Sequence, residues 1–172
     1  RNNNELVAIF GNFINRVLVL TQKYYEGKIP NTTKRTETDK AVLDELKATP
    51  KALQQALDRF RFREASQILM NLARTGNKYL ADEEPWKVIK THPERVQNIM
   101  HTALQIAAGL SVLSEPFLPF TANKLQQMLR LDETLKHVQS STADVNPDLV
   151  SGAIQEPNTL WQNIADGTLL LP

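Results

Sequence analysis

The sequence predicts an all-α fold, a helical bundle of about five main helices. Two observations carry this expectation: only six glycines occur in 172 residues, and apolar residues recur over long stretches at spacings of three and four. Hydrophobic residues at 41% and charged residues at 23% match the soluble globular average and exclude a disordered chain.

The first helix is expected from about Glu5 to Tyr25, with Asn4 as its N-cap and Gly27 as its stop. At about 100° per residue, Leu6, Ile9, Phe10, Phe13, Ile14, Val17, Leu18, Leu20 and Tyr24 fill roughly one half of its circumference. Glu5, Asn12, Arg16 and Lys23 fall in the other half, within about 40° of one another. The helix thus has a core face and a separate polar stripe. From Lys28 to Thr38 the composition of Pro, Asn, Thr and Lys reads as an exposed connection.

A second helical region spans about Asp39 to Phe60, and Thr49-Pro50, an N-cap followed by Pro at N1, suggests two short helices there. A third helix follows from about Arg63 to Leu80, with Ala65, Ile68, Leu69, Leu72 and Ala73 on one face. It gives way to Asp82-Glu83-Glu84-Pro85, where acids and a proline suit the start of another helix. Trp86 stands at this junction, ahead of a short turn, Lys87-Val88-Ile89-Lys90. Pro93 opens a fourth helix, about Glu94 to Leu113, with a core stripe of Ile99, Ala103, Ile106, Ala107 and Leu110. Pro116 and Pro119 break it, and Phe120 to Leu131 forms a fifth. From Asp132 the chain is polar until Leu160-Trp161 and Ile164, and a tail packing back on the bundle is expected. No internal repeat stands out, so residues 1–172 read as a single domain.

Composition narrows the function. No apolar run approaches the roughly 20 residues a membrane helix needs, so a cytoplasmic location without membrane partners is expected. There is no Cys, which removes disulfides and thiolate chemistry. His92, His101 and His137 never fall in a helical metal-ligand spacing, so no metal site is expected. The two histidines in the middle of the chain read as surface or cap residues. A net charge of +1 argues against a large phosphate footprint but allows a local one. The chain begins Arg1-Asn2-Asn3-Asn4, as an excised fragment does. No nucleophile triad or Gly-rich phosphate loop occurs, and the acids read as solvated helix positions, so no catalytic residue is assigned.

Binding is the better reading. Asn12 and Arg16 are four apart and neighbours on one helix face. Arg offers a planar fork of donors, and Asn a donor and an acceptor, a pair able to read a base edge. Spacing alone favours an ordinary surface pair. Trp86, beside Pro85 at a helix start, is either a stacking platform for a base or, as composition alone favours, a core anchor over a helix junction. Arg59, Arg61 and Arg63 alternate with Phe60 and Phe62. A helix would spread those arginines around its circumference, which favours a solvated set.

These residues resemble the C-terminal anticodon-binding domain of methionyl-tRNA synthetases, class I enzymes. The resemblance runs through Phe10-Gly11-Asn12-Phe13-Ile14-Asn15-Arg16, then Asn77-Lys78-Tyr79 followed after five residues by Pro85-Trp86. It continues through Leu104-Gln105-Ile106 and Leu113-Ser114-Glu115-Pro116-Phe117-Leu118-Pro119, and ends at Leu160-Trp161 and Ile164-Ala165-Asp166. Roughly Glu5 to Asp166 is covered, and the Asn-x-Tyr…Pro-Trp element is its specific part. It implies an anticodon-binding helical bundle in which Asn12, Arg16 and Trp86, presented by Pro85, contact the CAU anticodon of methionine tRNA. It also implies a parent that attaches methionine to tRNA with ATP and magnesium. No His-Ile-Gly-His or Lys-Met-Ser-Lys-Ser type signature lies in these residues, so the piece alone is expected to be no enzyme and to need no cofactor. Its partners would be tRNA and its own catalytic domain. Where the family closes on Phe, this chain has Trp161. The alternative is a helical protein-interaction module whose stripe and Trp86 hold a partner helix.

Overall fold

The computed structural model describes residues 6–32 and 34–129, with side chains from residue 8 onward. Among the described residues the secondary structure is helical throughout. A π-helical turn, Leu6–Gly11, runs directly into α1, Asn12–Tyr25. Phe10, Phe13, Ile14, Val17 and Leu18 are buried, so the expected core face is the real one. The helix ends at Glu26 and Gly27, both left-handed, and their N–H groups bond the carbonyls of Gln22 and Thr21. The expected Asn4 cap and the tail beyond residue 129 lie outside the described residues.

The second helix, α2, Glu37–Asp58, starts earlier than its apolar pattern because Thr36 and Asp39 form a capping box. It is one helix, not two: Pro50 lies inside it. Thr49, expected as a cap, is buried in mid-helix and donates its hydroxyl to the Glu45 carbonyl at 2.7 Å. Leu43, Leu46, Leu53 and Ala56 continue a single buried face through the proline, and burial of that face outweighs one lost ladder bond.

α3, Phe62–Glu83, packs against α2, and a single left-handed residue, Glu84, separates it from the short α4, Pro85–Val88. α5, Pro93–Leu113, is the central helix. Its expected stripe is buried, and so is every residue from Asn98 to Ser111. Small residues such as Ala103, Ala107, Ala108 and Gly109 let α1, α2, α3 and α4 close around it. This burial overturns the surface reading of His101, which is 4% exposed. Its ring is pushed down to about 4, first by burial and then by the charge of Arg35. α6, Pro119–Met128, closes the described part against α5, where Gln126 donates to the Ser111 carbonyl at 3.1 Å.

Candidate nucleic-acid interface

Asn12 opens α1 and is exposed, as is Lys23 further along the same stripe. Arg16 lies one turn on from Asn12, half-buried, above the buried Phe13 and Val17. Trp86 comes from the other side of the site. α3 ends where Glu84 turns left-handed (φ 42°), a conformation that a side chain with a Cβ adopts only under local strain. That one residue lets α4 begin immediately, with Pro85 at its first turn where no N–H is needed. Pro85 is buried, and Trp86, next in line, is 38% exposed.

The two sides meet. The guanidinium carbon of Arg16 lies 5.3 Å from the centroid of the Trp86 ring, a cation–π contact. Among the described residues no carboxylate or hydrogen-bond acceptor engages Arg16, so its five donors keep their capacity for another partner. The structure therefore brings Arg16 and Trp86 together and leaves Asn12 exposed one turn away, with Pro85 buried next to Trp86 in the chain. Trp86 is neither a core anchor nor a freely projecting ring.

A second layer, which the sequence reading missed, holds the junction. Asp39, 0% exposed, accepts from Arg95 through both oxygens at 2.6 and 2.8 Å and from the Tyr79 hydroxyl at 2.5 Å. The Thr36 N–H adds a fourth bond at 2.9 Å. Arg95 also holds Glu83, the last residue of α3, at 2.8 Å. Burial alone would push the Asp39 carboxyl up, but the bonds from Arg95, Tyr79 and Thr36 hold it below the usual carboxylate range. Burial and then the bond to Asp39 push the Tyr79 hydroxyl above its ordinary value. Three helices, α2, α3 and α5, are thus tied together within a few residues of Pro85-Trp86. Asp39 departs from the reading of all acids as solvated; the one available signal was Thr-x-x-Asp, a capping pattern that says nothing of burial.

The Asn-x-Tyr element belongs to the same support. Tyr79 makes the Asp39 bond, and Asn77 donates to the carbonyl of Ile9, in the π-helical turn, at 2.8 Å. Beside it, an ideal Cβ at Gly76 would lie 2.6 Å from Phe13 Cε2, so only glycine lets α1 and α3 approach this closely. Arg59, Phe60, Arg61, Phe62 and Arg63 sit exposed at the α2–α3 connection, as the solvated reading expected. Among the described residues no cluster of ligating side chains fit for a metal occurs, and no helix is long and apolar enough to cross a membrane.

The family model for the anticodon binding domain of methionyl tRNA ligase matches residues 29–169. The methionine–tRNA ligase of Flavobacterium psychrophilum is 57% identical over 168 residues, 96% of this chain and 24% of that protein. The ligase of Bacteroides fragilis is 46% identical over 169 residues, 98% of this chain and 24% of that protein. The chain thus spans about a quarter of the length of the curated relatives it matches. In fold it is similar to the Mycobacterium tuberculosis methionyl-tRNA synthetase in complex with methionyl-adenylate, with a TM-score of 0.76 at 20% identity over 83% of this chain and 29% of that one. By its family match and its relatives, the chain belongs to the anticodon-binding domains of methionyl-tRNA ligases.

Proposed function

We propose that residues 1–172 form one anticodon-binding domain that reads the CAU anticodon of methionine tRNA through Asn12, Arg16 and Trp86, with Pro85 presenting the Trp. The longer protein attaches methionine to that tRNA in the cytoplasm, using ATP and magnesium at a catalytic domain outside these residues. The observation that carries the reading is the Arg16–Trp86 contact, which joins two chemistries for single-stranded bases in one place. The Trp ring stacks on an unpaired base without regard to which base it is. Selectivity falls to Arg16. The Watson–Crick edge of cytosine offers acceptors at O2 and N3, whereas uracil presents an N–H at N3. An obligate donor therefore pairs with the first and is repelled by the second. Asn12, one turn away, orients the guanidinium or bonds a neighbouring base. A few splayed bases need few charges, in keeping with a net charge of +1.

The test is a filter-retention titration of the full-length protein with anticodon stem-loops carrying CAU or UAU, at two salt concentrations. Trp86→Ala is expected to weaken both about 10- to 100-fold, the worth of about 1–3 kcal/mol of stacking. Arg16→Ala is expected to abolish the preference for C, and Arg16→Lys not to restore it, because one ammonium cannot replace a two-point fork. Equal retention of the two loops by the unaltered protein sinks the reading.

A further inference from the structure

We propose that Asn77 is a positioning residue for base reading: it holds the π-helical turn ahead of α1 in register and so sets the direction in which Asn12 and Arg16 point. The inference rests on the anticodon reading of that face. A π-helical turn closes i→i+5 bonds, in effect one residue more than an α-turn, and such turns are rare because their geometry is poorer. Here the turn spans Leu6–Gly11 and ends directly at Asn12. Converting it to regular α-helix removes one residue from the spiral, which rotates the upstream residues against α1 by about 100°. Either Ile9 and Phe10 leave the core or Asn12 and Arg16 leave their face.

Asn77 is the group from outside that acts on this choice. Its Nδ2 donates to the Ile9 carbonyl at 2.8 Å, inside the π-turn, and to the Ala73 carbonyl at 3.2 Å in its own helix. The orientation of the amide is dictated, since the two groups facing it are carbonyls and only its NH2 can bond them. Its Oδ1 is buried without a partner among the described residues, which shows that the donor side alone holds the group in place. The neighbouring residue closes the same clamp: Gly76 leaves room for the Phe13 ring, whose Cε2 and Cζ would lie 2.6 and 2.7 Å from a Cβ there. Ile9 and Phe13 are thereby pinned by consecutive residues of α3, while Asn12 and Arg16 come three and seven positions after Ile9, on the adjoining face. The same α3, just past Tyr79, delivers Glu84, Pro85 and Trp86. One helix therefore positions both halves of the reading face.

Two variants of the full-length protein separate positioning from mere stability. Asn77→Leu keeps the branched shape and removes both donors. Asn77→Ser keeps a hydroxyl able to bond the Ala73 carbonyl one turn back but too short to reach Ile9, and it decides the matter where Asn77→Leu does not fold. Each is expected to weaken binding of the CAU stem-loop about tenfold and to cut the preference for CAU over UAU about fivefold, with methionine-dependent exchange between ATP and pyrophosphate unchanged. In a background carrying both Asn12→Ala and Arg16→Ala the same substitutions are expected to change binding by less than about twofold, because the groups through which Asn77 acts are gone. Full additivity with the paired Asn12→Ala and Arg16→Ala substitutions, or an intact preference for C in folded Asn77→Ser, overturns the inference. An unaltered protein that does not distinguish CAU from UAU refutes the anticodon reading itself, which keeps the two failures apart.

Discussion

Replacing Asp39 by Ala is expected to be the most damaging single change at the support of the reading face. The carboxylate is fully buried and accepts four bonds, two from Arg95, one from Tyr79 and one from the Thr36 N–H. Its removal takes the carboxylate partner from the buried Tyr79 hydroxyl and leaves Arg95, 19% exposed, with Glu83 alone. Breaking one partner out of a buried ion pair costs about 3–5 kcal/mol, a range that already includes the stranded partner. For a chain of this size each kcal/mol moves the midpoint by about 2–4 °C, so a loss near 4 kcal/mol lowers it by about 8–16 °C. The pH dependence has a definite sign. A carboxyl held below its ordinary value in the folded state stabilises above about pH 4 and loses that contribution as pH falls further, through the folded value. Thermal melts followed by circular dichroism should therefore show a gap between parent and Asp39→Ala that is constant from pH 7 to about 4 and narrows below it. A midpoint within about 2 °C of the parent at pH 7, or a gap that widens in acid, refutes the assignment of Asp39 as the ionised centre of this network.

Two more outcomes depend on single residues. Gly76→Ala forces a methyl into the ring of the fully buried Phe13; overpacking of about 1–3 kcal/mol exceeds the gain of at most about 1 kcal/mol from better helix propensity. A net loss in urea unfolding is expected, and a stabilised variant would show that α1 and α3 can separate freely. His101, pushed down to about 4 by burial and by Arg35, is neutral in the folded chain, so the unfolded state gains a proton first. Its contribution is complete above about pH 6.5 and falls by about 3 kcal/mol as pH drops through 6.5 toward 4. Urea midpoints at pH 7 and 4.5 should show a smaller acid loss for His101→Gln than for the parent; equal losses would place the titration elsewhere.

The sequence by itself determined the helical class, the core face of α1, the polar stripe of Asn12, Arg16 and Lys23, and the junction at Pro85-Trp86. Each is a local property: spacing sets a helix face, and proline marks where a helix starts. Local rules failed where long-range packing overrode them. Pro50 predicted a break, but a continuous buried face carried α2 through it. One stripe was legible on α5, yet the helix is buried all round, because what surrounds a helix is decided by the other helices; His101 was misplaced for that reason. Asp39, Tyr79 and Arg95 are 40 and 56 residues apart along their bonds, and no pattern in the chain announces that they meet. The π-helical turn is equally silent in sequence, since the group that holds it, Asn77, sits 68 residues away from Ile9. Only the packing of α3 against α1 and α5 sets the Arg16 guanidinium over the Trp86 ring, because that contact depends on where two helices stop relative to each other.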